Sequence, residues 1–222
     1  MNRMIITGVL AVAVVPMAVP VLAAAKRAPT AVADFDIAGV KLGMTPEQVR
    51  PALVRAGFKP RTSDPTQDSW ETRIAAEVAK RRPQTRPAAT KVPTFTMATG
   101  PRGEHLEIWY HAGPTGATAS SIKFQIRADQ MTGQAFYQSV LEKYGAPTNR
   151  VFGKDMLYCS AGEAVKNCVT WGSRQKPYLH AEANSVLHSL DLAYGNEASD
   201  AAKAAFSAEV ERRAPKDARP AF

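Results

Sequence analysis

Residues 105–111, His-Leu-Glu-Ile-Trp-Tyr-His, hold the densest set of side chains able to do chemistry in this chain. On a strand alternate residues share a face, so His105, Glu107, Trp109 and His111 point one way and Leu106, Ile108 and Tyr110 the other. Two imidazoles and a carboxylate suggest zinc. His105 and His111, however, stand six residues apart, about 20 Å at strand rise, and one ion with bonds near 2 Å cannot take both. His105 with Glu107 needs ligands from elsewhere, and His180 or His188 supplies the type. His180 and Glu182 also share a strand face, and His188 is expected across the following hairpin from them, a grouping that would titrate near neutral pH. The favoured reading is a polar sheet face with no metal and no cofactor, on which His105, Glu107 and His111 surround an exposed Trp109 available to a partner, while Tyr110 lies inside.

Nucleophile signatures are missing. The chain has no G-x-S-x-G elbow, no S-x-x-K in a suitable setting, no P-loop and no G-x-G-x-x-G after a strand. The enzymatic alternative is a small secreted hydrolase or metal-dependent enzyme organised on His105, Glu107 and His180. A second candidate for binding is the stretch Lys80–Pro93, where Lys80, Arg81, Arg82, Arg86 and Lys91 occur with three prolines and no acid. It reads as a mobile basic connector able to settle on an anionic surface.

The address comes from the first 25 residues. Arg3 forms a short basic region, Ile5–Val21 an apolar one, and Val21-Leu22-Ala23 or Ala23-Ala24-Ala25 a small-residue cleavage site, the pattern of a secretory signal peptide. Pro16 and Pro20 interrupt the apolar run and Lys26 and Arg27 follow it, so a retained membrane span is not expected. The net charge is +8, or +7 without Arg3. In an exported protein that favours an envelope protein or an anionic envelope surface over nucleic acid. Cys159 and Cys168 are the only cysteines, with eight residues between them and strand-like segments on both sides. In an oxidising compartment they read as a structural disulfide closing a hairpin loop.

Elements able to position these residues can be traced along the chain. After a leader over 26–33, FDIAGVKLGMTPEQVRPALVRAGF reads as a short strand, a tight turn and a helix that Thr45, Pro46 and Gln48 open, Gly57 stops and Pro51 should kink. A second helix is expected over Asp68–Arg82, with Asp68 and Glu71 at capping-box spacing. Three strands follow near Thr94–Ala98, Glu104–His111 and Ser120–Arg127, with AGPTGATA as a turn. Thr132 opens a helix over Gly133–Tyr144 that Gly145 closes. Strands near Asp155–Ser160, Cys168–Gly172, Tyr178–Ala183 and Leu187–Tyr194 come next, the last two turning at Asn184-Ser185. Ser199–Arg213 is helical and 214–222 a frayed tail.

A weak internal repeat runs at a constant offset of 87 residues: Met44-Thr45 matches Met131-Thr132, Val49 matches Phe136, Leu53 matches Val140 and Pro60 matches Pro147. The fold class is α+β, an antiparallel sheet packed by helices, with 34–127 and 128–213 as two tandem helix-plus-sheet halves. The segment FDIAGVKLGMTPEQVRPALVRAGF resembles the opening of small bacterial envelope domains, namely the SmpA/OmlA-type outer-membrane assembly lipoproteins and the beta-lactamase-inhibitor-protein-like domains. That resemblance implies an α+β scaffold used for protein or envelope binding rather than catalysis. The chain departs from the lipoproteins in having no lipidated cysteine. Together these readings describe an exported, periplasmic, non-catalytic binding or accessory protein, with inhibition of a secreted enzyme as a further alternative.

Overall fold

Two Met-Thr turns start equivalent helices, and each helix leads into a four-stranded antiparallel meander. The computed structural model describes residues 31–82, 87–151, 155–160 and 176–216. After a 3-10 turn at Val32–Asp34, the first half runs β1 (Asp36–Ile37), β2 (Val40–Lys41), α1 (Pro46–Arg55), β3 (Lys59–Thr62), β4 (Pro65–Asp68), α2 (Trp70–Arg81), β5 (Lys91–Pro93), β6 (Phe95–Thr99), β7 (His105–Gly113) and β8 (Gly116–Arg127). The second runs α3 (Gly133–Tyr144), β9 (Asn149–Val151), β10 (Asp155–Cys159), β11 (Tyr178–Ala183), β12 (Leu187–Ala193) and α4 (Asn196–Arg213).

The large sheet has the order β3-β6-β7-β8-β12-β11-β10-β9. It is two meanders joined through their last strands, with Ile122 opposite Leu192 and Phe124 opposite Leu190 at the seam. The α+β class read from the sequence is the observed one; four strands lie on each side of the seam, with β4, α2 and β5 inserted between β3 and β6 on the first.

Local chemistry explains the helix ends. At α1 the Thr45 N–H donates to Gln48 Oε1 at 3.0 Å. At its other end Gly57, with φ of +81°, closes a Schellman turn in which Phe58 N donates to Leu53 O and Gly57 N to Val54 O. At α3 the Thr132 hydroxyl accepts from Ala135 N at 3.2 Å, and Gly145 terminates the helix with φ of +80°.

Helices α1 and α3 cover one face of the sheet. Val49, Ala52 and Leu53 from α1 and Phe136, Val140 and Tyr144 from α3 meet Leu106, Ile108, Ile122, Ile126, Leu179 and Leu192 in one core. The halves interlock through Phe35 and Asp36: Phe35 packs on Tyr144 and Tyr158 with ring centroids 4.9 and 5.8 Å apart. Tyr144 Oη donates to Asp36 O at 2.7 Å and Lys143 Nζ pairs with Asp36 Oδ1 at 2.9 Å. Helices α2 and α4 form a separate small core of Trp70, Ile74, Val78, Phe206, Val210 and Ala214.

Several boundaries differ from expectation. The short strand expected before α1 is one arm of a β1–β2 hairpin turning at Ala38 and Gly39, where Gly39 N donates to Asp36 Oδ1 at 2.9 Å. Ser69, not Asp68, caps α2, because Asp68 ends β4 and pairs with Lys91 of β5. The connector is consequently shorter than Lys80–Pro93: Lys80 and Arg81 belong to α2 and Lys91–Pro93 to β5. The expected AGPTGATA turn shrinks to Pro114-Thr115, since cross-strand bonding carries β8 back to Gly116. The proposed frayed tail begins with a fully buried Ala214, whose carbonyl accepts from Arg81 at 2.9 Å. The expected strand at Cys168–Gly172, Arg86 and the first 25 residues lie outside the described residues.

Ile122 is fully buried at the seam and Val186 is 75 % exposed on the β11–β12 turn. Ile122→Ala should lower unfolding free energy by about 3 kcal/mol in urea titrations, while Val186→Ala should stay within about 0.5 kcal/mol of the parent.

Candidate functional site: the open sheet face and the cleft behind it

Strand alternation sends His105, Glu107, Trp109 and His111 to the face opposite α1 and α3. Trp109 is 45 % exposed and Tyr110 4 %. The reason is a division of labour along β7: Tyr110 Oη shares a hydrogen bond with the Thr96 hydroxyl at 2.8 Å inside the core, where burial pushes the phenol up to about 12. Trp109 stacks instead on Phe95, its cross-strand partner, with centroids 5.4 Å apart. Met97, two residues along β6, is also exposed. An apolar patch is thus set into a polar surface.

Around it the register builds rows of charge. Arg61, Met97, Glu107, Lys123, Asp191 and His180 occupy successive positions on β3, β6, β7, β8, β12 and β11. Glu107, Lys123 and Asp191 place opposite signs on neighbouring strands, an arrangement that stabilises the sheet and presents an alternating potential to solvent. His105 Nε2 lies 3.3 Å from Glu107 Oε1. His111 sits at the far end of the face near α2, and burial together with the Arg73 charge holds its imidazole below the ordinary histidine value.

The histidine grouping expected from the sequence does not form. His180 stands three strands from β7, about 14 Å at ordinary strand spacing, because β8 and β12 intervene. It is buried with Nε2 3.9 Å from Asp155 Oδ2, and Asp155 Oδ1 accepts from the Tyr137 hydroxyl at 3.2 Å. His188 faces the helices rather than His180, because the β11–β12 hairpin pairs it with Ala183. Its Nε2 lies 2.7 Å from Met131 O and its ring packs on Phe136. His105, Glu107 and His180 therefore cannot share one ion or one substrate atom. Among the described residues no three His, Cys, Asp or Glu side chains are grouped to hold a metal.

The basic residues proposed for an anionic surface are largely paired with acids. Lys80 bonds Glu77, Arg81 bonds Glu211 at 2.7 Å and Lys91 bonds Asp68 at 2.6 Å. Arg82 follows α2 in an exposed position. Cys159 ends β10, where its N–H donates to Thr148 Oγ1 at 3.0 Å. Its expected partner Cys168 lies outside the described residues.

A feature that sequence reasoning missed lies behind the sheet, at the junction of the halves. A cleft of about 440 Å³ opens between α3 and the segment 56–58 that follows α1, over Phe124 and Leu190, the paired seam residues, with Phe58 and Phe136 on its walls. Glu104 and Arg102 mark one side and Lys143 another. Glu104 is buried. Burial raises its pKa, but its own N–H, the Arg102 N–H at 2.8 Å and the Arg102 guanidinium outweigh that penalty and hold the carboxyl below its ordinary value. Residues of the cleft come from many separate elements, so no contiguous motif announces it.

Among the described residues no helix is long and apolar enough to cross a membrane. No protein-family model, curated protein or solved structure matches the chain.

Because the folded-state pKa of Glu104 lies below its ordinary 4.5, the stability it contributes is full above the unfolded value and is lost as pH falls through the folded one. Glu104→Gln should be less stable than the parent at neutral pH and lose less stability below about pH 5, measured by urea unfolding at a series of pH values.

Proposed function

We propose that this chain is an exported, periplasmic, non-catalytic binding protein that takes a protein partner on the open face of its sheet. The observation that carries this reading is the exposed Trp109, stacked on Phe95 and next to Met97 in a field of alternating charges. A large exposed aromatic side chain that packs on a neighbouring ring and is rimmed by polar groups has the character of a binding anchor. The charges at Glu107, Lys123 and Asp191 would set orientation and exclude wrong partners more than they add affinity. The sheet is preferred over the basic residues 80–91 because three of the five cations there already have acidic partners within the chain. Whether the partner is an envelope component or a secreted enzyme held inhibited is a matter of its identity, not of this surface. A Cys159–Cys168 bridge belongs to the same proposal, as a brace for the β10 end of the sheet.

The test is crosslinking capture in intact envelopes with the oxidised mature chain, the Trp109→Ala variant, and a variant with Lys80, Arg81, Arg82, Arg86 and Lys91 neutralised. Trp109→Ala should keep the parent's melting temperature and weaken affinity for the captured protein about 30-fold, the loss of roughly 2 kcal/mol typical of an anchor. The neutralised variant should capture the same protein. Equal capture by Trp109→Ala, or loss only on neutralising the cations, would move the site away from the sheet.

A further inference from the structure

The α2–α4 pair leans over the His111 end of the open face, and a cavity of about 460 Å³ lies between the two helices and β7. That volume falls within the range of roughly 300–1,000 Å³ seen for small-molecule sites. Its walls combine two kinds of chemistry. Trp70 and Phe206 supply aromatic surface and meet edge to face at 5.4 Å, while Arg73, Lys203 and His111 bring basic groups to the same space. Ser199 and Ser207 add hydroxyls, and among the described residues no carboxylate lines the cavity.

Arg73 is the key residue. Its guanidinium carbon lies 4.9 Å from the centroid of Phe206, a stacking arrangement that orients the planar group. Among the described residues it has no ion-pair partner, in contrast to Arg81, Arg212 and Arg213 of the same helix pair, which bind Glu211, Glu209 and Glu71. Lys203 pairs only with Asp200, at 3.2 Å between exposed groups. Burial first, and the nearby Arg73 charge second, disfavour the protonated form of His111. The chain has therefore matched the other arginines of α2 and α4 that point at acids and left the one inside an aromatic cavity unmatched.

We infer that this cavity binds a small organic anion, its carboxylate, sulfonate or phosphate group held by Arg73 and Lys203 and its apolar remainder lying against Phe206 and Trp70. Guanidinium and carboxylate or phosphate form charge-assisted, two-pronged hydrogen bonds, and Ser199 and Ser207 provide neutral donors beside them. The site adjoins the Trp109 surface: it lies at the His111 end of β7, under the helix pair, and its occupancy does not require a protein partner.

Calorimetric titration of the full mature chain with naphthalene-2-sulfonate tests this, with naphthalene-2-methanol as the neutral counterpart and Arg73→Gln and Lys203→Gln as variants. The sulfonate should bind saturably with one site per chain, the alcohol about tenfold more weakly or less, and Arg73→Gln should lower sulfonate affinity about tenfold, with Lys203→Gln lowering it by a smaller factor. Circular dichroism establishes that each variant is folded. Lys203 is exposed, so its replacement leaves the fold intact and decides the matter should Arg73→Gln unfold. No saturable binding, equal binding of the neutral alcohol, or unchanged affinity in a folded Arg73→Gln or Lys203→Gln variant would overturn the inference.

Discussion

The pairing of β8 with β12 is the interaction on which the rest of the molecule depends. Each four-stranded meander alone would leave its last strand as a long open edge with unpaired N–H and C=O groups. Joining these two edges satisfies both and produces a single sheet. It also aligns the two helices on the same side, so that α1 and α3 share one core over Ile122 and Leu192. The N-terminal hairpin then crosses to the second half, where Phe35 and Asp36 bind Tyr144, Tyr158 and Lys143. Neither half closes its core without the other.

This architecture divides the surface by physical character. The helix-covered face is apolar, with a cleft beside α3 over Phe124 and Leu190. The opposite face carries alternating charges that need no cover, apart from the aromatic patch at Phe95 and Trp109. The α2–α4 pair screens one end of that face and is held by a third kind of contact, a small aromatic core ringed by ion pairs such as Arg213 with Glu71 and Arg81 with Glu211. These pairs are exposed and individually weak. What locates α4 is the burial of Val210 and Ala214 against Trp70, Ile74 and Val78.

Local signals in the sequence were read accurately where the deciding physics is local. The helix starts at Thr45 and Thr132, the stops at Gly57 and Gly145 and the inward and outward sides of β7 all follow from caps, left-handed glycines and two-residue alternation. The offset of 87 residues links α1 with α3, and each of these helices precedes four strands of the large sheet in chain order. Short strands such as β4 and β5 leave no trace in the sequence pattern because three or four residues, with prolines at Pro65 and Pro93, are too few to show alternation. Their pairing rests on contacts such as Lys91 with Asp68 and the Thr90 hydroxyl with Ser69 and Thr72.

The candidate sites show the same boundary. Trp109 outward and Tyr110 inward could be read from alternation, since a strand side chain has only two directions. The separation of His180 from His105, the turning of His188 toward the core, the acidic partners of the basic residues and both cavities depend on strand order and helix docking. By itself the sequence determined the class of the fold, where its two main helices begin and end, and which side chains of β7 face out, because these depend on neighbours a few residues away. Tertiary structure alone decided which of those side chains meet, because strand order and the β8–β12 seam bring together residues separated by tens of positions.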